Sequence, residues 1–151
     1  MKNYPKISIV TPSLNQGMYI EETINSILSQ GYPNLEYLIV DGGSQDNTLE
    51  ILKKYSRYVT WISEPDSGQT NAINKGLQRT CGEIVSYLNA DDLFLPRTLW
   101  KVADLFEKAP NIRWLTGKCR IINEENNEIR KTITAYKNIF LHLRSFPLLL
   151  M

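Results

Sequence analysis

Two adjacent carboxylates, Asp91 and Asp92, close the stretch Ile84-Val85-Ser86-Tyr87-Leu88-Asn89-Ala90-Asp91-Asp92. Val, Ile and Tyr suit a pleated, half-buried surface. The mostly apolar run entered from Gly82 therefore reads as a buried, interior strand that ends in a charge cluster. Two unit charges about 4 Å apart repel by roughly 4 kcal/mol at an effective dielectric of ~20. A hard divalent cation would relieve that repulsion. So would a turn in which Asn89 and Asp92 cap backbone groups and face water, and the residues alone leave both open.

Three other apolar runs end in the same way. Ile7 to Val10 is closed by Thr11-Pro12-Ser13, where proline ends pairing by removing an amide donor. Leu35 to Val40 runs into Asp41-Gly42-Gly43, and Val59 to Ile62 into Glu64-Pro65-Asp66. Helical patterns separate these strands. From Tyr19 to Gln30, the residues Ile20, Ile24, Ile27 and Leu28 recur on one face, and Gly31 and Pro33 stop the helix. Asn47 with Glu50 resembles a capping box before a helix with Leu49, Leu52 and Tyr55 inward. Gln69 to Arg79 buries Ala72, Ile73, Gly76 and Leu77. Pro96 and Thr98 open a helix with Leu99, Val102, Ala103 and Phe106 on one face. Residues 113–116 and 118–122 read as short strands around Gly117, and 136–143 as helical. Alternating strands and helices imply an α/β fold, a mostly parallel sheet sandwiched by helices. Ligands of such sheets bind beyond the carboxyl ends of the strands. One polar turn there is ordinary, but four on one rim suggest a site.

The chain has 151 residues, 42% of them hydrophobic, enough for one domain that buries about 68–70% of its unfolded surface. A net charge of +1 gives no whole-molecule field toward nucleic acid. Residues 113–151 carry +4 and residues 1–112 carry −3. That basic quarter reads as a solvated face first and as a peripheral membrane or acidic-partner surface second. Cys81 and Cys119 lack metal-ligand spacing and read as reduced thiols. No run approaches a signal-peptide core or a membrane span, which points to the cytoplasm. With His142 the only histidine, any metal must rest on oxygen ligands.

In this setting the chain resembles the inverting nucleotide-sugar glycosyltransferases of family 2, which have the Rossmann-like, nucleotide-binding GT-A fold. The resemblance lies in Ser8-Ile9-Val10-Thr11-Pro12-Ser13-Leu14-Asn15 and Leu38-Ile39-Val40-Asp41-Gly42-Gly43-Ser44-Gln45-Asp46-Asn47-Thr48. It continues in Ser63-Glu64-Pro65-Asp66-Ser67-Gly68-Gln69, in Asn71-Ala72-Ile73-Asn74-Lys75-Gly76, and in Gly82-Glu83-Ile84 through Asp92. Each segment is weak alone. Together, in family order across residues 6–98, they are specific.

The resemblance implies a role for each position. Thr11 and Pro12 would line the base pocket, and Asp41 would accept a hydrogen bond from a uracil-type imide. Asp66 and Lys75 would approach the nucleotide and its phosphates, whereas Asp46 would order the loop before the next helix. Asn89-Ala90-Asp91 falls at the Asp-x-Asp position, where Asp91 would ligate Mg²⁺ or Mn²⁺ and Asp92 would orient the donor sugar. Asn89 departs from the commoner Asp, keeping hydrogen bonding and losing a charge. An inverting transfer also needs a carboxylate base. None is convincing among Asp104, Glu107, Glu124, Glu125 and Glu128.

The resulting expectation is a single domain over residues 1–151, its donor-binding portion at about 6–98 and its C-terminus cut short. It would transfer sugar from a nucleoside-diphosphate sugar, a UDP-sugar foremost, to a glycan or lipid-linked acceptor in cell-envelope polysaccharide synthesis. The alternative is a non-catalytic nucleotide-sugar binding fragment. A receiver-type signalling domain would need its acidic pair after the first strand, where Thr11-Pro12 stands. Trp114 and the apolar tail Phe146 to Met151 suit either the core or a homodimer interface.

Overall fold

The computed structural model describes residues 4–142, so the apolar tail lies outside the described residues. Its contacts divide the chain into two compact units, Met1–Ala109 and Pro110–Met151. The first holds a four-stranded parallel sheet in the order β3-β2-β1-β4, made of β1 (Ile7–Ser13), β2 (Leu35–Asp41), β3 (Thr60–Ser63) and β4 (Ile84–Tyr87). Each strand is joined to the next in the chain through a helix: α1 (Ile20–Leu28), α2 (Thr48–Tyr55) and α3 (Gln69–Gln78). Helix α4 (Thr98–Lys108) follows β4.

Strand residues alternate between faces, and both faces are covered. Ile7, Ile9, Tyr37 and Ile39 pack with Ile20, Ile24 and Ile27 of α1, Ile51 and Leu52 of α2, and Leu99 and Ala103 of α4. Val10, Leu38 and Val40 pack on the other face with Ala72 of α3. Here Gly76 matters, because a Cβ on it would stand 2.3 Å from Val10 Cγ1. Its missing side chain lets α3 lie close on β1.

Three local expectations are corrected. β1 does not stop at Thr11-Pro12 but runs on to Ser13, in register with Asp41. Val10 gives its carbonyl to Leu88 on the β4 side, and Ser13 gives its carbonyl to Gly42 on the β2 side. By alternation Pro12 turns its missing donor toward the β4 side, beyond the end of β4 at Tyr87, where no ladder bond is lost. Second, β4 is an edge strand among the described residues, not an interior one, and Val85 and Tyr87 are each 53% exposed. Its apolar composition therefore did not signal a central place. Third, Asn47 makes no side-chain cap on α2. Asp46 Oδ1 instead accepts from Thr48 N at 2.9 Å, and Asp46 Oδ2 from Gly17 N at 2.9 Å. Asp46 orders this loop by capping the helix and holding the turn that leads into α1.

The second unit contains an antiparallel pair, β5 (Ile121–Ile122) with β6 (Glu128–Ile129), and helix α5 (Lys131–His142). Residues 113–120 are not strand, and the helix begins five residues before the expected start. Asn123 accepts through Oδ1 from the backbone of Glu125 and Asn127, closing the hairpin turn.

Candidate functional site

The loop carrying Asp91 and Asp92 is held by one stripe of α1 and the residues just after it. Thr23 Oγ1 donates to Ala90 O at 2.8 Å, Ser26 Oγ accepts from Phe94 N at 3.1 Å, and Gln30 Nε2 donates to Leu95 O at 3.1 Å. Trp100 of α4 closes the set by donating from Nε1 to Gln30 O at 2.6 Å. Thr23, Gln30 and Ala90 are buried, and the Thr23 bond to Ala90 is itself buried, so leaving that one unmade costs about 1–3 kcal/mol; the Ser26, Gln30 and Trp100 bonds are part-buried. Sequence reasoning missed all three anchors. The available signal was three polar residues at helical spacing beside the buried Ile20, Ile24 and Ile27.

Asp91 and Asp92 themselves are exposed. Neither pairs with a lysine or arginine among the described residues. Partial desolvation and then the neighbouring Asp91 charge push the Asp92 pKa up, while a hydrogen bond from Asn89 pulls it down. That bond runs from Asn89 Nδ2 to Asp92 Oδ2 at 3.0 Å, and Gln69 Nε2 in turn donates to Asn89 Oδ1 at 2.8 Å. A carboxylate only accepts, so the orientation of both amides follows from Asp92 outward. An Asp at position 89 would face Asp92 with a third negative charge. Gln69, which sequence reasoning did not single out, ties the first turn of α3 to the acidic loop.

The other expected site residues divide by exposure. Thr11 and Pro12 are buried, and Thr11 Oγ1 shares a hydrogen bond with Tyr37 OH at 3.1 Å. Burial pushes the Tyr37 phenol pKa up, so it stays neutral. Ala90 packs its methyl into the core. Asp41 is 0% exposed. Its Oδ2 accepts from Gly43 N at 3.1 Å, Ser44 N at 2.9 Å and Ser63 Oγ at 2.7 Å, and its Oδ1 accepts from Ser44 Oγ. It organises the turn. Lys75 Nζ lies 3.0 Å from Glu64 Oε1, lowering the Glu64 pKa chiefly through that hydrogen bond. Asp66, Asp91 and Asp92 are thus acids at this end of the sheet that keep some exposure and pair with no lysine or arginine among the described residues, and Gln69 and Asn89 link α3 to Asp92.

Among the described residues no group of three or more His, Cys, Asp and Glu is arranged to hold a metal ion. Adjacent carboxylates without a basic partner still suit Mg²⁺ or Mn²⁺. Such ions keep several waters and take one or two protein carboxylates plus substrate phosphates.

The profile of glycosyl transferase family 2 matches residues 8–149. The chain belongs to that family. The putative teichuronic acid biosynthesis glycosyltransferase TuaG of Bacillus subtilis is 41% identical over 93 residues, covering 58% of this chain and 36% of TuaG. Among solved structures, S. aureus TarS 1-349 in complex with UDP-GlcNAc has a TM-score of 0.64 at 25% identity, covering 78% of this chain and 40% of that one. The mannosyltransferase PcManGT from Pyrobaculum calidifontis, in complex with GDP-Man and Mn²⁺, has a TM-score of 0.58 at 30% identity, covering 63% and 30%. The sheet of this family 2 chain is thus the GT-A fold. The chain spans only part of the length of its curated relatives, 36% of TuaG and 21% of the uncharacterized glycosyltransferase RC0461 of Rickettsia conorii among them. Among the described residues no helix is long and apolar enough to cross a membrane.

Proposed function

We propose that this family 2 chain is the donor-binding portion of a glycosyltransferase that moves a sugar from a nucleoside-diphosphate sugar, a UDP-sugar foremost, to an acceptor hydroxyl in glycan or cell-envelope polysaccharide synthesis. The observation that carries the reading is the gathering of Asp66, Asn89, Asp91 and Asp92 at the carboxyl ends of a GT-A sheet, with Asp91 and Asp92 paired to no lysine or arginine among the described residues. TuaG supports the polysaccharide context, and the UDP-GlcNAc and GDP-Man complexes support the donor class.

In this reading Asp91 holds the cation, and Asn89 with Gln69 keeps the Asp92 carboxylate turned toward the donor. A bound Mg²⁺ or Mn²⁺ would supply positive charge against the departing diphosphate. The test is a calorimetric titration of UDP into the purified chain with Mn²⁺, repeated with chelator and with Asp91→Asn. Binding that needs both the ion and Asp91 supports the donor site. Equal binding in all three arms removes it.

One observation favours binding without transfer. In the first unit the acids after Asp92 are Asp104 and Glu107 of α4, and Asp104 Oδ2 pairs with Lys108 Nζ at 2.8 Å. A base for the acceptor hydroxyl would then come from elsewhere. Release of UDP from a UDP-sugar by this chain, dependent on a sugar acceptor, would sink that second reading.

A further inference from the structure

We propose that Asp66, and not Asp41, reads the nucleobase, and that it selects bases with a ring N–H, such as uracil, over bases with a bare ring nitrogen, such as cytosine. The inference rests on the donor site proposed above and adds what that site recognises.

Asp41 has no surface to offer. It is fully buried, and its two oxygens receive four hydrogen bonds from Gly43, Ser44 and Ser63. Asp66, in the loop after β3, is half-buried, and only one of its oxygens is engaged. Gly68 N donates to Oδ1 at 2.7 Å, and Oδ2 has no hydrogen-bond partner among the described residues. That free oxygen hangs over Gly42, the residue after Asp41. A Cβ built on Gly42 would stand 2.9 Å from Oδ2 and 3.2 Å from Cγ of Asp66. Gly42 does not have a positive φ, so its backbone would accept other residues. What it lacks is room. The space beside the buried carboxylate, where a side chain of residue 42 would project, is filled by the carboxylate of Asp66. Ser13, in register with Asp41 across the sheet, adds a buried hydroxyl with no partner, so unmet hydrogen-bonding capacity clusters at this part of the rim.

The recognition chemistry follows from donor and acceptor types. A carboxylate accepts and cannot donate. It bonds the N3–H of uracil, and equally the N1–H of guanine, but meets the lone pair on cytosine N3 with repulsion. A site built to accept an N–H rejects the analogue without one because its own polar group is left unpaired. Since Gly68 N–H pins one oxygen of residue 66, Asp66→Asn has a defined outcome. The Asn carbonyl keeps the bond from Gly68, and its NH₂ takes the place of the free oxygen over Gly42. The site then offers a donor, which fits cytosine and opposes uracil.

The experiment titrates UDP and CDP, each with Mn²⁺, into the wild-type chain, Asp66→Asn and Gly42→Ala, with circular dichroism confirming that each is folded. Wild type is expected to prefer UDP by roughly 10- to 100-fold, the range for a hydrogen bond to a charged group. Asp66→Asn should abolish or invert that preference. Gly42→Ala, which forces Oδ2 aside without altering Asp66, should narrow it mainly by weakening UDP. A UDP-to-CDP ratio unchanged in Asp66→Asn overturns the proposal while leaving the donor site standing. Failure of folded wild type to bind either nucleotide overturns the donor site itself, and this inference with it.

Discussion

The two ends of the sheet treat charge in opposite ways. At the amino ends of the strands, Glu36 accepts from Lys6 Nζ at 2.9 Å, from Cys81 N at 2.8 Å and from Ser8 Oγ, while Ser8 Oγ accepts from Gly82 N at 2.8 Å. Burial there works against the charged form of Glu36, but hydrogen bonds from Ser8, Lys6 and Cys81 overcome it and bring the pKa down to about 2. At the carboxyl ends, Asp66, Asp91 and Asp92 pair with no lysine or arginine among the described residues, and the Asp92 pKa moves up. One end uses its acid to join β1, β2 and the entry to β4. The other pairs Glu64 with Lys75 but leaves Asp66, Asp91 and Asp92 without a basic partner among the described residues, and perturbed carboxylates of that kind are common at functional sites.

If that contrast is sound, neutralising the rim should cost binding and not stability. Asp91→Asn is expected to weaken Mn²⁺-dependent UDP binding by at least about 100-fold, roughly 3 kcal/mol. The melting temperature should stay level or rise, because a like-charge repulsion is removed. Paired calorimetry and thermal melts check this, and a lower Tm with unchanged UDP affinity would make the acids structural.

Glu36→Gln should do the reverse. Its side chain is 25% exposed, so the full shift overstates its worth, and a loss of about 2 kcal/mol at pH 7 is the expectation. The folded pKa lies below the ordinary 4.5. The contribution is therefore complete above about pH 4.5 and disappears as pH falls toward about 2. Denaturant titrations at stepped pH should show wild type and variant converging across that window, with per-molecule UDP affinity at neutral pH unaffected.

Between the two ends lies the close approach of α3 to β1. Gly76→Ala places a Cβ 2.3 Å from Val10 Cγ1 and 3.0 Å from Cγ2. Overpacking costs typically 1–3 kcal/mol, and alanine's better helix propensity offsets up to about 1 kcal/mol of it. A net loss of about 1 kcal/mol in denaturant midpoints, relieved by adding Val10→Ala, would show that contact sets the position of the helix.

The strand and helix order was legible because period-two and period-3.6 apolar patterns follow from burial on alternate faces. The acidic pair after β4 was legible because adjacent carboxylates are costly without a reason. Solvent exposure was not. Thr11, Pro12, Asp41 and Ala90 carry the resemblance as well as Asp66 does, yet only the fold reveals that the first four face inward. The edge position of β4 was hidden for a similar reason, since Ile84-Val85-Ser86-Tyr87 has the composition of a buried strand. Thr23, Ser26 and Gln30 were passed over because polar residues on a helix are by default read as solvated.

The smallest expected effect is the most diagnostic of how the rim is built. The Gln69 side chain hydrogen-bonds Asn89, and Asn89 in turn hydrogen-bonds Asp92, so Gln69 acts on the acidic pair through Asn89. All three are at least partly exposed, so each bond contributes only about 0.5–1.5 kcal/mol. Gln69→Ala should weaken Mn²⁺·UDP binding by a factor of a few without changing the melting temperature. Asn89→Ala should do the same, and the double variant should be no worse than the more severe single one, because both remove the same constraint on Asp92. Additive losses would mean that Gln69 and Asn89 meet the ligand separately. In that case the acidic rim would hold its geometry through the α1 anchors alone.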